Sequence, residues 1–97
     1  MTEQTPTTGR TVLLTLSEAQ ARAINGQRTQ AGHATHTGNT AREGDVVPLI
    51  IVRVWDETTG NLNGQAILDG NDSYWASSVH RGEPGEPGTW AWPVITR

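Results

Sequence analysis

The acidic stretch "LDGNDSYWASS", residues 68–78, is the first place in this sequence where metal chemistry has to be considered. Its oxygen-bearing side chains fall at the first three ligand positions of a calcium-binding loop: Asp69, Asn71 and Ser73. That loop also needs a glycine at its sixth position and a glutamate at its twelfth, where Tyr74 and His80 stand. The pattern fails at both positions, so we predict no calcium site here.

The same stretch suits a corner between two strands. Gly70 and Asn71 tolerate a positive φ, and aspartate side chains accept hydrogen bonds from nearby amides in such turns. We therefore interpret residues 69–72 as a hairpin corner. The sequence leaves one alternative open, in which the corner also presents Asn71 or Asp72 to a ligand.

Three histidines raise the question of a zinc site. His33 and His36 lie in a predicted loop, and His80 lies elsewhere in the chain. Spacing across a loop carries little information, and the chain has no cysteine to reinforce a zinc site. We predict surface or hydrogen-bonding histidines, with no metal and no other cofactor.

The segment "HTGNTAREGD", residues 36–45, combines a glycine-bearing turn with a cation. Backbone amides at Gly38 and Asn39, with Arg42 nearby and His36 at the start, are the parts of an anion-binding nest. The segment lacks both the phosphate loop and the dinucleotide fingerprint. It is therefore either a nucleotide-binding element or an ordinary loop that covers one end of the fold.

Four tryptophans are the clearest excess in the composition, since the other aromatics amount to one tyrosine. Trp90 and Trp92 are two residues apart and would share one face of a strand, and Trp75 lies on the strand expected beside it. The cluster would either fill the core or form a platform on which a ring stacks, beside Arg53. The candidate ligand-binding residues are His36, Asn39, Arg42, Arg53, Trp55, Asn71, Trp75, Trp90 and Trp92.

The sequence contains no convincing set of catalytic residues. Ser77 or Ser78 with His80 and an aspartate would make a triad only on paper, since no nucleophile elbow accompanies them. The paired carboxylates fall in predicted turns, where solvation explains them. We do not expect an enzyme.

Length and charge exclude further classes. The chain has 97 residues and a net charge of −3, and its seven basic residues are scattered arginines, which disfavours binding to duplex nucleic acid. It has no apolar run near the ~20 residues that span a membrane, and "MTEQTPTTGR" lacks the pattern of a signal peptide. We expect a soluble intracellular protein.

The elements that must position these residues are short. Residues 1–9 are polar and predicted to form a flexible arm, and residues 10–97 a single domain. "TVLLTL" has strand composition, and Ser17 with Gln20 forms a capping box that predicts a helix over residues 18–25, ended by Gly26. Residues 27–44 are then predicted to be a long loop.

Four more strands are predicted: residues 45–55, 65–69, 73–79 and 89–95. In the first of them Ile50, Val52 and Val54 are expected to face the core, with Arg53 and Trp55 together on the opposite face. The fold class is mainly β with one helix (α+β), as a small SH3-like or similar five-stranded bent sheet or barrel. A sheet with an open edge would also form a homo-oligomer, and the dimer could build a shared pocket.

Five segments carry a resemblance to a known group: "GRTVLLTLSE", "HTGN", "GDVVPLIIVRVW", "NGQAILDGND-YW" and "GTWAWP". Spread from Gly9 to Pro93, they resemble small, mostly uncharacterised proteins of actinobacterial phages and their hosts. The segment "GQRTQAGHAT" before "HTGN" is shorter than in that group. The resemblance implies a phage accessory protein and brings no catalytic residues with it.

Two functions are expected on these grounds. The first is a phage-encoded, non-enzymatic small-molecule-binding module in the host cytoplasm, which sequesters a polar or nucleotide-like host defence signal. The alternative is a structural protein of the virion, a capsid decoration or head-completion subunit that contacts neighbouring capsid subunits.

Overall fold

A computed structural model describes residues 4–30 and 38–94 of the chain. Within them it contains five strands and one helix: β1 (Thr11–Thr15), α1 (Glu18–Gln30), β2 (Val46–Asp56), β3 (Asn61–Ile67), β4 (Ser73–Arg81) and β5 (Thr89–Ala91). The single helix is 13 residues long. In the described residues, α1 is neither long enough nor apolar enough to cross a membrane.

The five strands close into a barrel in the order β1–β2–β3–β4–β5. Successive strands from β1 to β4 pair antiparallel, and β5 closes the barrel by pairing antiparallel with β1 and parallel with β4. The predicted fold class, a mainly β domain with one helix and a small five-stranded barrel, is confirmed. The expected open edge is not present among these strands, because each has a neighbour on both sides.

Alternate residues of the strands fill the barrel. The largest fully buried side chains are Trp90, Leu14, Leu16, Ile24, Leu49, Ile51, Leu62 and Val12. Ile24 comes from α1, so the helix contributes to the same core as the strands. Burying such aliphatic and aromatic side chains supplies the main driving force for folding.

The inward face of β2 differs from the prediction. Val47, Leu49 and Ile51 are buried, whereas Ile50 and Val52 are 39% and 44% exposed, so the predicted core positions of those two residues are wrong. Irregularities in the pairing with β3 follow Ile51 and Val54. The first one changes the alternation, so Val54 packs against the core, as predicted.

The helix begins as predicted and ends later. The Ser17 amide donates to Gln20 Oε1 at 2.9 Å and the Gln20 amide to Ser17 Oγ at 3.1 Å, which confirms the capping box. The helix continues past Asn25 to Gln30, so the predicted end at Gly26 is wrong. An interior glycine costs about 1 kcal/mol, and tertiary contacts made by Arg28 in the last turn outweigh it.

Two strand boundaries also move. β3 begins at Asn61, four residues before its predicted start at Gln65. The connection from β2 is closed by Asp56 Oδ1, which accepts from the Thr58 amide at 2.8 Å. β5 ends at Ala91. Trp92 therefore lies beyond the strand that was predicted to carry it.

Residues 4–9 are the described part of the predicted N-terminal arm. Pro6 is buried, and the Gly9 amide donates to the carbonyl oxygen of Ile51 at 2.8 Å. The Thr8 hydroxyl donates to the carbonyl oxygen of Val52 at 3.3 Å. Thr8 and Gly9 therefore lie along β2.

Candidate functional site: a polar mouth and an apolar outer face

One end of the barrel is closed by a polar cluster, here named the polar mouth and formed by Arg28, Asn39, Asp69 and Asp72. Arg28 is only 4% exposed. Its Nε donates to Asp72 Oδ2 at 2.9 Å and its Nη2 to Asp72 Oδ1 at 3.1 Å, a bidentate ion pair. Its Nη1 donates to the carbonyl oxygen of Asn39. The last turn of α1 is thus tied to the start of β4 and to the segment before β2.

The other half of the polar mouth joins Asn39 to Asp69. The Asn39 amide donates to the Asp69 carbonyl oxygen at 2.9 Å, and Asn39 Nδ2 donates to Asp69 Oδ2 at 2.6 Å. Gly38 and Gly70 form an isolated antiparallel bridge beside them. A Cβ at Gly38 would lie 2.5 Å from Gly70 Cα, so only glycine allows this approach. Gly38 and Asn39 therefore bind Asp69 and Gly70 directly.

The electrostatics of the polar mouth are internally balanced. The hydrogen bonds from Arg28 hold the pKa of Asp72 below its usual value, although burial opposes the shift. The same ion pair raises the pKa of Arg28. Arg28 lines two cavities, one of about 50 Å³ towards Asp69 and one of about 240 Å³ towards Thr29 and Gly38. Both volumes are below the roughly 300–1,000 Å³ of ligand pockets. A phosphate at this position would also lie beside two carboxylates, which disfavours an anion site.

The residues predicted for an anion nest are only partly brought together. Asn39 is in the polar mouth, whereas His36 lies outside the described residues. The Arg42 side chain is exposed, and its backbone amide donates to Asp45 Oδ2 at 2.9 Å, in a turn. Asn71 is exposed at the corner. The corner between β3 and β4 is confirmed, although neither Gly70 nor Asn71 has a positive φ. Asp72 is paired inward rather than presented to solvent.

Arg28 was missed by the sequence reasoning. It lies in the segment predicted to be a loop, and it is one of seven scattered arginines with no neighbour pattern of its own. The available signal was Asp72, since an acidic residue at a predicted corner requires a donor if it is turned inward.

The four tryptophans occupy different environments. Trp90 is wholly buried and its Nε1 donates to the Gly60 carbonyl oxygen at 2.8 Å, so it fills the core rather than lining a surface site. Trp92 packs edge-on against Trp90, with centroids 5.4 Å apart. Trp55 and Trp75 are 53% and 46% exposed. The predicted platform of Trp75, Trp90 and Trp92 does not form on one face.

Two arginines stack on the less buried indoles. The Arg53 guanidinium lies 4.3 Å from the centroid of Trp55, which agrees with the predicted placement of both residues on one side of β2. The Arg10 guanidinium lies 4.9 Å from the centroid of Trp92. Such cation–π contacts contribute roughly 0.5–1 kcal/mol at exposed positions.

An apolar surface, here named the outer face, consists of Ile50, Val52, Gln65, Ile67 and Trp75. Ile50 pairs with Gln65, and Gln65 pairs with Trp75, so these three side chains form one row across β2, β3 and β4. Ile67 is two residues beyond Gln65 and Val52 two beyond Ile50, and both are exposed. Large apolar side chains grouped on one face of a sheet are typical of a binding surface.

A second apolar feature is a groove on the outside of β1 and β5. Its volume is about 260 Å³, and its walls include Leu13, Val46, Ala91, Trp92 and Pro84. The indole N–H of Trp92 is buried and has no hydrogen-bond partner among residues 4–30 and 38–94. An unpaired buried donor costs about 1–3 kcal/mol, so an acceptor supplied by a ligand would stabilise it.

Metal binding finds no support in residues 4–30 and 38–94, where no three histidine, cysteine or acidic side chains are grouped to hold an ion. His33 and His36 lie outside these ranges, and His80 is exposed on β4.

No protein-family model matches this chain, and neither a curated protein nor a solved structure matches it. Its own fold and surface define its class: a closed five-stranded barrel with one helix, a self-paired polar end and an apolar outer face.

Proposed function

We propose that this chain is a non-catalytic interaction module that binds another protein through its outer face. The observation that carries the proposal is the row of Ile50, Gln65 and Trp75 with Ile67 and Val52 beside it. Tryptophan is the residue type most enriched among the side chains that dominate binding energy at protein interfaces. Trp75 is therefore the expected anchor.

The polar mouth is a poorer binding surface than the outer face. Its cation, Arg28, is paired with Asp72 and buried, so it supplies no free charge to a polar ligand. The outer face has apolar side chains that the fold does not cover. When a second apolar surface removes such side chains from water, the free energy of the system falls.

This proposal fits the structural alternative drawn from the sequence. In a virion the partners of the outer face would be neighbouring subunits, and mass spectrometry of purified particles would find the chain in abundance. The phage origin, and a location in the host cytoplasm or in the virion, remain predictions from the resemblance.

Site-specific photo-crosslinking in the cell that encodes the chain tests the proposal. A benzophenone amino acid replaces Trp75 in one variant and Ala23, an exposed residue of α1, in the control. We expect covalent adducts with a protein from position 75 and none from position 23. The absence of any protein adduct from position 75 would overturn the proposal.

A second candidate function, small-molecule binding, is favoured by the groove beside Trp92. Its volume of about 260 Å³ approaches the lower limit of ligand pockets. The Trp92 N–H has no acceptor among the described residues. The ligand would place an aromatic base against the apolar walls of the groove and one acceptor atom at the Trp92 N–H. Sequestration of a nucleotide-like defence signal would use this groove rather than the polar mouth.

Thermal-shift measurements with cyclic and ADP-ribose-type nucleotides test this candidate. The matched variant is Trp92→Phe, which keeps a ring and removes the donor. We expect a ligand to raise the melting temperature of the natural chain more than that of Trp92→Phe. No shift with any compound at millimolar concentration would contradict it.

A further inference from the structure

We propose that the outer face binds a second copy of this chain, in a dimer whose two-fold axis lies in the interface, parallel to β3 and between the two Gln65 side chains. This inference rests on the proposed function and names the partner of the same surface. It relies on the order of the side chains in the central row, their charge, their area and the unpaired amide of Gln65.

The order of the row makes it complementary to itself. Ile50, Gln65 and Trp75 lie on three adjacent strands, with neighbouring strands about 4.8 Å apart. A two-fold axis along β3 reverses the row, so each Trp75 lies over the Ile50 of the other copy. A large ring thus faces a smaller aliphatic side chain twice, as an isologous interface requires.

Gln65 lies at the centre of this arrangement. Its side-chain amide makes no hydrogen bond to any residue in the described ranges, although both of its row neighbours are apolar. A primary amide carries both a donor and an acceptor. The Gln65 of a second copy, placed on the same axis, satisfies both groups at once, whereas a purely apolar partner would leave them unpaired and desolvated.

Charge disfavours a partner that is selected by electrostatics. None of the five side chains of the outer face is ionisable, and the chain has a net charge of −3. Two copies that repel each other elsewhere approach most favourably through a neutral surface. The nearby Arg53 is already stacked on Trp55.

The area is adequate for the centre of a dimer interface. The exposed fractions of Ile50, Val52, Ile67 and Trp75 correspond to roughly 300 Å² of apolar surface. A stable interface of standard size buries about 800 Å² on each partner, with an apolar centre and a polar rim. The exposed polar residues Ser73 and Ser77 on β4 would contribute to that rim.

The expected dimer therefore forms between faces and not between strand edges. The closed barrel leaves each described strand paired on both sides, which removes the edge route that the sequence suggested. Two sheets packed face to face lie about 10 Å apart, close enough for Trp75 to contact the other copy.

Charge substitution at the axis gives the sharpest test. Gln65→Lys places two cations opposite each other, and Gln65→Glu places two carboxylates there; Thr58→Lys, in the turn after β2, is the control. Sedimentation velocity from about 1 to 500 µM measures the assembly, and circular dichroism checks the fold. We expect the natural chain and Thr58→Lys to dimerise and each Gln65 variant to dissociate at least tenfold more readily.

An equimolar mixture of Gln65→Lys and Gln65→Glu should restore the dimer, because the axis then joins opposite charges. A mixture that stays monomeric, or variants that dimerise as the natural chain does, would overturn the two-fold arrangement. A natural chain that is monomeric at 500 µM would overturn the dimer altogether. Crosslinks from position 75 to another protein would then leave the proposed function intact.

Discussion

The side chains of the polar mouth bind one another within the chain, whereas the apolar side chains of the outer face are exposed to solvent. Arg28 in the polar mouth has a partner for each of its three donated hydrogen bonds within the chain. The outer face contains Ile50, Val52, Ile67 and Trp75 exposed to solvent, and at its centre the Gln65 amide has no partner in the described residues. The polar mouth therefore stabilises the fold, and the outer face is available to a binding partner.

This difference changes which residues are interpreted as functional. The polar residues of the glycine-bearing segment and the acidic corner suggested ligand chemistry in the sequence, yet they hold one end of the barrel together. A buried ion pair pays a desolvation cost that only good geometry offsets, so its members are fixed by the fold. The apolar residues of β2, which suggested only a core, form the surface that is available to a partner.

The largest expected effect is the loss of the ion pair in the polar mouth. Arg28→Met leaves Asp72 and the Asn39 carbonyl oxygen without their donor. Because Asp72 is 20% exposed and partly rehydrated, we expect the free energy of unfolding to fall by about 3 kcal/mol, at the lower end for broken buried pairs. Urea denaturation measures the change.

The matched control for this prediction is the double variant Arg28→Met with Asp72→Leu. It removes both charges, so we expect it to recover part of the lost stability. If Arg28→Met alone lost less than about 0.5 kcal/mol, as an ordinary surface substitution does, the polar mouth would not be a structural closure.

A smaller effect is expected from Gly38→Ala. The added methyl group would meet the backbone of Asp69 and Gly70, so the bridge between the two segments must open, at a cost of about 2 kcal/mol. Gly26→Ala is the control of opposite sign. It adds a methyl group to α1 where nothing lies within 4 Å, and it should raise the free energy of unfolding by about 0.5–1 kcal/mol.

Hydrogen exchange sharpens this prediction. The Asn39 amide donates to the Asp69 carbonyl oxygen and should lose its protection in Gly38→Ala. Unchanged protection and unchanged stability would show that the bridge is not needed for the polar mouth.

The fold class was predictable because it depends on repeated local signals. The capping box at Ser17, the β-branched run before Trp55 and the glycine-containing turns each specify an element without tertiary information. The inward face of β2 was not predictable. Both of its faces carry aliphatic residues, and the irregularity after Ile51 depends on pairing with β3.

The end of the helix and the partner of Asp72 were beyond the sequence for a related reason. Gly26 indicated a helix end by local propensity. The helix instead continues to Gln30, since Arg28 in its last turn binds Asp72, which lies 44 positions away in the sequence. Contacts at such separation leave no local pattern. The two exposed tryptophans, Trp55 and Trp75, were both among the predicted ligand-binding residues, and their role in binding stays a prediction.

A pH dependence of stability distinguishes the two regions further. Hydrogen bonding to Arg28 lowers the pKa of Asp72 in the folded state below its value in the unfolded chain, about 3.9. The unfolded chain therefore takes up this proton first. The contribution of the pair is fully present above the unfolded pKa and is lost as the pH falls through the folded one.

The measurement compares the natural chain with Asp72→Asn by urea denaturation from pH 7 down to about pH 2. We expect the natural chain to be more stable at neutral pH and the difference to shrink at the acidic end. A difference that stays constant over the whole range would show that the carboxylate charge contributes nothing to the polar mouth.

The smallest effect on stability is expected at the outer face. Trp75 is 46% exposed, so Trp75→Ser should lower the free energy of unfolding of the monomer by less than about 1 kcal/mol. Trp90→Phe is the control inside the core, where the lost indole donor leaves the Gly60 carbonyl oxygen unpaired and the cost is about 2–3 kcal/mol. Urea denaturation makes this comparison at about 1 µM protein, the lowest concentration of the sedimentation series, where association contributes least.

The concentration dependence of the unfolding midpoint should separate the same two variants in a second measurement. A dimer makes the unfolding midpoint rise with protein concentration, because association stabilises only the folded state. We expect this rise in the natural chain and in Trp90→Phe, and its absence in Trp75→Ser. If Trp75→Ser destabilised the monomer as much as Trp90→Phe, Trp75 would belong to the fold, and the distinction between a closed end and an open face would fail.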